Sequence, residues 1–274
     1  MKGVCQIMDV SRESETRLLS APPAGNLSTG ILKGIALFFM LIDHLGAVVF
    51  TNVPEMRILG RIAFPVYCWC LVVGLHYTRS VPKYLARLLG TFVLVQPLYA
   101  EVMNHRIASS NLFVSFYLAR PNIFLTLFLG LAAVWAVREK KFYSHLWGPA
   151  LAIALATVLN VDYGWKGVLF ILLLYASRTS RPSIAALMIA YFLFWGTAYR
   201  ITQSFFGMPF DVGALPAWLS SPLSAVLRME AYGLLSLPLI LIPFRKNTRL
   251  PLWLSYGIYP AHLLIVWAVK LLVH

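Results

Sequence analysis

Charged side chains are scarce in this chain. Only 12% of its 274 residues are Asp, Glu, Lys or Arg, whereas a soluble domain carries about 25%. Hydrophobic residues make up 59%, and the mean hydropathy is +0.74. This balance excludes a soluble protein with one membrane anchor. Apolar runs repeat from Ile31 almost to the C-terminus, so we predict one multi-pass domain over residues 31–274 within the lipid bilayer.

Acidic residues are scarcer than basic residues. The chain has 10 Asp and Glu against 23 Lys and Arg, which gives a net charge of +13. Such a charge can indicate a nucleic-acid partner. The basic residues fall in the short loops between apolar runs, however, where membrane insertion places them. We therefore exclude nucleic acid as a partner.

Cysteines and familiar catalytic motifs are also few. Cys5, Cys68 and Cys70 do not have metal-site spacing, so no metal is predicted. Cys68 and Cys70 lie inside an apolar run and are predicted to be buried. The chain has no serine-hydrolase elbow, zincin motif, P-loop or dinucleotide fingerprint. These absences exclude the commonest catalytic classes that have a short sequence signature.

Residues 1–30 are polar and Ser-rich, and they lack the basic-then-apolar order of a signal peptide. We predict a flexible cytoplasmic tail there. The rest predicts an all-α membrane bundle, because a membrane span needs about 20 apolar residues. About nine spans fit, with eight to ten possible, and the fifth and sixth are short enough to be a pair of re-entrant half-helices instead. They are 31–50, 58–76, 84–103, 122–137, 146–160, 164–175, 183–199, 223–244 and 252–273, with an interfacial segment at 104–121.

The basic loops predict the orientation. Most of the 23 basic residues lie in the tail and in alternate loops, and such residues favour the cytoplasmic side. Those loops contain Arg79, Lys83 and Arg87, then Arg138, Lys140 and Lys141, then Arg178 and Arg181, then Arg245, Lys246 and Arg249. The N-terminus is therefore predicted to be cytoplasmic and the C-terminus to face outward.

Ionisable residues recur within the apolar runs, where they are costly and usually mark a site or a pathway. At 1.5 Å per residue, all of them fall in the predicted outer half of the membrane or near its middle. We expect them to converge on one polar cavity. They are Asp43, His44, Arg61, Arg228, Glu230 and His262, with Tyr163 and Gly164 at the outer mouth of the sixth span.

Structural roles compete with this interpretation. Asp43–Arg228 and Arg61–Glu230 could be buried ion pairs that only hold helices together. Tyr259 and His262 are three residues apart and share a helix face. Pro260 between them frees the carbonyl of a preceding residue, which suits a cavity wall but also occurs in ordinary packing.

The residue types suit acyl transfer. A histidine can act as a general base on an amine or hydroxyl, and an arginine or second histidine can stabilise an oxyanion. An ion-coupled transporter uses the same residue types, because a buried carboxylate and imidazole can relay protons. The residues alone leave these two functions open.

Several short motifs follow one another along the chain. IALFFMLIDH is followed by LGRIAFP, GLHYTR, NIFL, DYGWKGVL and IYPAHLL. From about Ile31 to Val269 this order resembles the TraX family, and DH and GR-x-x-FP are its most specific elements. TraX proteins belong to the bacterial inner membrane and to conjugation systems, and the F-plasmid member is linked to N-terminal acetylation of pilin. The resemblance implies an acyltransferase that uses acetyl-CoA on a pilin subunit or another membrane-presented acceptor.

We assign roles from the chemistry. His44 is the predicted general base, Asp43 orients it, and Arg61 neutralises developing negative charge or binds donor phosphates. His262 completes this catalytic set. The predicted substrate-binding and cofactor-binding residues are Tyr259, Arg228, Glu230, Tyr163, Lys33 and Arg79. The alternatives are a proton-coupled transporter and a non-catalytic pilin-assembly factor.

The donor is expected to come from the cytoplasm, whereas a processed pilin exposes its new N-terminus at the outer leaflet. We therefore expect a channel lined by the first, second and last helices, past Gly46 and Gly60. Its cytoplasmic end would lie near Lys33 and Arg79. No covalent acyl-enzyme is needed if the donor arm reaches His44 directly.

A reporter that is active only outside the cytoplasm tests the orientation. Fused at the C-terminus it should be active, and inserted at Lys140 it should be silent, because the two positions are predicted on opposite sides. A reporter that works only inside should give the reverse pattern. Activity of one reporter at both positions would contradict the nine-span arrangement.

Overall fold

The computed structural model describes residues 21–118, 120–245 and 251–273. It confirms the all-α class, because the only strands in this part of the chain are the two-residue β1 (Ser204–Phe205) and β2 (Met208–Pro209), which pair antiparallel. The helices are α1 Thr29–Val48, α2 Pro54–Gly60, α3 Ala63–Tyr77, α4 Val81–Val102, α5 Leu112–Tyr117, α6 Ile123–Glu139, α7 Ser144–Val158, α8 Gly164–Ser177, α9 Arg181–Gly196, α10 Ala217–Val226, α11 Leu237–Leu241 and α12 Leu252–Val273. Short three-ten helices lie at Lys141–Tyr143, Val212–Ala214 and Met229–Ser236.

Local sequence signals explain where several helices begin. The hydroxyl of Ser80 accepts from the backbone N–H of Lys83 at the start of α4, and Ser180 does the same for Ser183 at the start of α9. Both helices have a proline in their first turn, where its missing N–H has no helical partner to lose. Asn122 accepts from Phe124 and starts α6. Each of these starts satisfies a backbone donor that would otherwise lack a partner.

Four segments of the described chain are long and apolar enough to cross a membrane: Thr29–Val48, Pro54–Tyr77, Val81–Val102 and Ser255–Val273. Gly164–Ser177, Arg181–Gly196 and Met229–Leu241 are apolar but shorter. The chain is thus a helical membrane protein. The count of about nine spans and the cytoplasmic N-terminus stay predictions.

The eighth predicted span, residues 223–244, is not one continuous helix. α10 ends at Val226, Arg228 is extended (φ −108°, ψ 146°), and a three-ten helix and α11 follow. The Arg228 guanidinium donates to the carbonyls of Thr197 and Tyr199, just after α9. A charged side chain at this point is stabilised by polar backbone groups, and the chain leaves helical geometry to reach them.

Helices α3 and α6 form the centre of the bundle. Buried residues surround α6 on all sides, as expected for a helix without a solvent face. It approaches its neighbours closely through glycine: a Cβ at Gly130 would overlap Ile171 of α8, and one at Gly148 of α7 would overlap Ala136. Small residues at helix contacts are typical of membrane bundles. Cys68 and Cys70 of α3 are buried free thiols, which confirms their predicted burial.

The predicted tail covers residues 1–30, and its first 20 residues lie outside the described part. The segment that leads into α1 is packed onto the bundle. Asn26 is fully buried and donates to the carbonyls of Leu239 and Ile242, and its own carbonyl accepts from the Trp69 indole at 2.7 Å. Residues just before α1 are thus held by contacts rather than extended from the surface. The boundary at residue 30 stays a prediction.

Candidate functional site

A polar cavity of about 360 Å³ lies at the end of the bundle where α1 and α4 end and α8 begins. Most of the ionisable residues predicted to converge line it or support its wall. The lining includes Asp43, His44, Arg57, Arg61, Tyr99, His105, Arg120, Asp162, Tyr163, Lys166, Glu230 and Tyr259. The convergence expected from helix depth is therefore present in the structure.

Two arginines and two carboxylates form an ion-pair network in the cavity wall. Asp43 accepts from Arg57 Nη1 at 2.6 Å and from Arg61 Nη2 at 2.8 Å. Arg61 Nη1 donates to Glu230 Oε1 at 2.9 Å. Arg61, Asp43 and Glu230 are buried. Charges away from water are stable only when they are paired and hydrogen-bonded, and here every buried member has a partner of opposite charge.

The turn between α2 and α3 positions Arg61. Its N–H and that of Ile62 bond to carbonyls three residues back, so the chain tightens there without ending the span. Gly60 precedes it, and a Cβ at Gly60 would overlap the Asp43 carboxyl. The absence of a side chain thus allows α1 to approach the turn closely enough for the ion pair.

The two glycines expected to line a donor channel instead pack helices together. Gly60 borders the cavity, but Asp43 fills the position of its missing side chain. Gly46 lies against Met56 of α2 and is not part of the cavity wall. Of the two glycines expected along the channel, Gly60 therefore lines the cavity, whereas Gly46 does not, because Met56 packs against it.

His44 and His262 form a second polar pair. His262 Nε2 lies 3.0 Å from His44 Nδ1, and the rings are stacked with centroids 5.1 Å apart. Tyr259 packs edge-on against His262 at 4.6 Å. Because Nδ1 of His44 is engaged by His262, Nε2 is the nitrogen available to a molecule in the cavity. His44 thus forms part of the cavity wall, and His262 supports it from behind.

The predicted contact between Asp43 and His44 is absent. Adjacent residues on a helix project about 100° apart, and the Asp43 oxygens bond to Arg57 and Arg61. The hydrogen-bonding partner that the structure gives His44 is His262. The assignment of Asp43 as the group that orients His44 is therefore wrong.

The remaining predicted residues divide between the cavity and other places. Tyr163 lines the cavity, with its ring stacked on Phe64 at 3.7 Å between centroids. The pair Arg61–Glu230 forms, whereas Asp43–Arg228 does not, because Arg228 binds backbone carbonyls. Lys33 lies in the first turns of α1, and exposed Arg79 follows α3. Both are at the far end of the bundle from His44, as expected for donor-headgroup residues, and that role stays a prediction.

A sequence model of the family described as TraX protein matches residues 28–270. The chain belongs to the TraX family. Probable fimbrial assembly protein FimC, serogroup H1, from Dichelobacter nodosus is 32% identical over 167 residues, which are 58% of this chain and 67% of that protein. Uncharacterized protein RP591 from Rickettsia prowazekii (strain Madrid E) is 32% identical over 94 residues, or 34% of this chain and 36% of that one. No solved structure matches.

This TraX site also contains residues that the sequence analysis did not select. Arg57 precedes Arg61 by one helical turn, so the two share a face, and that spacing is the signal that could have identified it. At the mouth, Arg120 Nε lies 3.7 Å from Asp162 Oδ1. Burial raises the pKa of the Asp162 carboxyl, and burial lowers the pKa of the His105 imidazole, with help from nearby Arg120. Across the described residues, no three His, Cys, Asp or Glu side chains are grouped to hold a metal ion.

Replacing Arg61 by leucine should destabilise the protein strongly. Removing one member of a buried ion-pair network costs about 3–5 kcal/mol, because the other charges stay buried without it. The control is Arg106→Leu, whose pair with Glu101 is half exposed and should contribute no more than about 1 kcal/mol. Unfolding in mixed detergent micelles measures both free energies. Equal losses for the two variants would contradict the proposed importance of the buried network.

Proposed function

We propose that this protein is a multi-pass acyltransferase of the bacterial inner membrane that acetylates the N-terminal amine of a pilin subunit, with acetyl-CoA as the donor. Membership of the TraX family and the fimbrial assembly name of the Dichelobacter nodosus relative support the pilin acceptor. The observation that carries the chemistry is the His44–His262 pair in a cavity wall that also contains Arg57 and Arg61.

The proposed proton transfer starts from one tautomer of the histidine pair. His44 Nδ1–H donates to His262 Nε2, which leaves a lone pair on His44 Nε2 at the cavity. As the acceptor amine attacks, this nitrogen takes its proton. The hydrogen bond to His262 then stabilises the imidazolium that forms on His44. Asp43 does not stabilise this imidazolium, because its oxygens bond to Arg57 and Arg61.

The acyl step follows from that arrangement. The amine nitrogen forms a bond to the thioester carbonyl carbon, and the carbonyl oxygen becomes an oxyanion. Its collapse breaks the carbon–sulfur bond, and the electron pair leaves with sulfur. The CoA thiolate takes the proton from His44, so the products are an acetylated amine and a free thiol, and the histidine pair returns to its starting state.

Arg57 is the better oxyanion donor of the two arginines. Both terminal nitrogens of Arg61 already bond to carboxylates, and its Nε donates to the Arg57 carbonyl. Arg57 donates from Nη1 to Asp43, and 33% of its side chain is exposed. It therefore keeps donors that can face the developing negative charge. Asp43, Arg61 and Glu230 act as positioning residues that hold Arg57 and the wall in place.

A non-catalytic assembly factor is the second candidate. The word "assembly" in the name of the Dichelobacter nodosus protein favours it. Such a protein would bind the pilin in the same cavity without transferring a group. A transporter would use the buried charges as a proton relay. Proton flux across proteoliposomes separates the transporter from the other two, and acetylation separates the enzyme from the assembly factor.

Replacing His44 should abolish the reaction. Purified protein in lipid nanodiscs, given acetyl-CoA and a peptide with the pilin N-terminus, should release thiol and yield a peptide heavier by one acetyl group. His44→Ala should slow this about 10²–10⁴-fold, because it removes the general base. The matched control is His145→Ala at the start of α7, outside the cavity wall, which should retain normal activity. A His44→Ala protein with near-normal turnover would contradict the mechanism.

A further inference from the structure

A second, narrower cavity of about 50 Å³ lies along the bundle axis on the other side of Tyr259. α1, α3, α4, α6 and α12 all contribute to its wall. Its lining includes Lys33, Tyr67, Cys70, Tyr84, Phe124 and Tyr259. Tyr259 is the one residue that lines both this cavity and the cavity at His44. The two cavities are thus neighbours at Tyr259.

We propose that this narrow cavity is the path by which the acyl donor reaches His44, and that Tyr259 is its gate. The inference rests on the proposed acyl transfer and adds the route, the donor class and the gating residue. The donor enters beside Lys33 with its anionic headgroup outside and its narrow thioester arm inside. The acceptor occupies the wider cavity on the far side of Tyr259.

Distance along α1 agrees with this path. Lys33 and His44 lie on one helix, eleven residues apart, which is about 16 Å at the rise of an α-helix. An extended pantetheine arm is on the order of 15–20 Å, from ordinary bond lengths. An arm with its head at Lys33 therefore brings its thioester to His44. At about 50 Å³ the cavity holds only one or two waters in the free state, so the arm must widen it.

Charge at the entrance suits an anionic head. Lys33 lines the narrow cavity, and the Arg87 guanidinium lies 5.6 Å from the ring centroid of Tyr84, which lines it too. Neither cation forms an ion pair with an acidic side chain in the described ranges. Phosphate groups are strong partners for such cations. The phenol groups of Tyr67 and Tyr84 offer hydrogen bonds to the amides of an uncharged arm.

The surroundings of Tyr259 allow it to move. Its ring packs edge-on against Phe124 at 4.7 Å and against His262 at 4.6 Å. Only 3% of Tyr259 is exposed, so these rings enclose it. The following residue, Pro260, removes a backbone hydrogen bond from this turn of α12. In the proposed gating step, the arriving thioester displaces the Tyr259 ring from its contacts with Phe124 and His262.

Cys70 is suited to report on the path, because it lines the narrow cavity while Cys68 does not. The test follows the rate of iodoacetamide labelling in Cys5→Ser, Cys68→Ser protein, with Cys70 as the remaining thiol. The matched control is Cys5→Ser, Cys70→Ser protein, which keeps Cys68. Both proteins are placed in nanodiscs of zwitterionic lipid and treated with dethia-CoA, a CoA analogue that has no sulfur to react.

We expect dethia-CoA to slow the labelling of Cys70 at least tenfold and to leave Cys68 unchanged. The headgroup alone, adenosine 3′-phosphate 5′-diphosphate, should not protect, because it has no arm. Anionic phospholipid in the nanodisc could present the same chemistry, a phosphate on a narrow chain. Protection by that lipid without dethia-CoA would assign the path to lipid and overturn the donor assignment.

Two further results would overturn the proposal. One is acetyl transfer in the same nanodiscs with no effect of dethia-CoA on Cys70. The other is a Cys70 that iodoacetamide never reaches, because a path for the arm must admit a small reagent. Protection of Cys70 without any acetyl transfer would support the path and contradict the proposed enzymatic function, so the two claims fail separately.

Discussion

The pairing of Arg61 with two carboxylates is the constraint on which this end of the molecule depends. Arg61 bonds to Asp43 of α1 and to Glu230 of the three-ten helix, and all three are buried. Because an unpaired charge away from water is very costly, these elements must close on one another. The side chain missing at Gly60 makes room for Asp43. The break in helical geometry at Arg228 brings Glu230 to the same place.

This network also determines the chemistry available to His44. Both carboxylate oxygens of its neighbour in sequence, Asp43, bond to arginines, and His44 pairs with His262 instead. A histidine held by another histidine keeps one nitrogen open to the cavity without a fixed negative charge behind it. Arg57 and Arg61 place positive charge in the wall of the same cavity. The proposed base and the proposed oxyanion donor therefore belong to different pairs, and the ion pairs connect their supporting helices.

Much of this arrangement could be predicted from the sequence, because depth along a helix follows from residue number. Asp43, His44, Arg61, Arg228, Glu230 and His262 were expected in the outer half of the membrane or near its middle, and the structure brings all of them except Arg228 together. The rotation of each helix about its own axis was harder to predict, because it depends on how the helix packs against its neighbours. For that reason Asp43 was wrongly assigned as the residue that orients His44.

The eighth span could not be predicted correctly from apolar content alone. Hydropathy averaged over residues 223–244 indicates one helix, but the averaging hides Arg228 and Glu230, whose polar partners break it. A channel was expected past Gly46 and Gly60, whereas Gly60 lines the cavity and Met56 packs against Gly46. A residue type shows that a close approach is allowed, and only the packed structure shows which group makes it.

If His44 is the general base for acetyl transfer from acetyl-CoA to pilin, the intact mass of pilin made in the same cells shows it most directly. Pilin co-expressed with the wild-type chain should be heavier by one acetyl group on its N-terminal residue. With His44→Ala present in the membrane at the same level, the pilin should keep a free amine. Unmodified pilin beside the wild-type chain, or acetylated pilin beside the variant, would contradict the account.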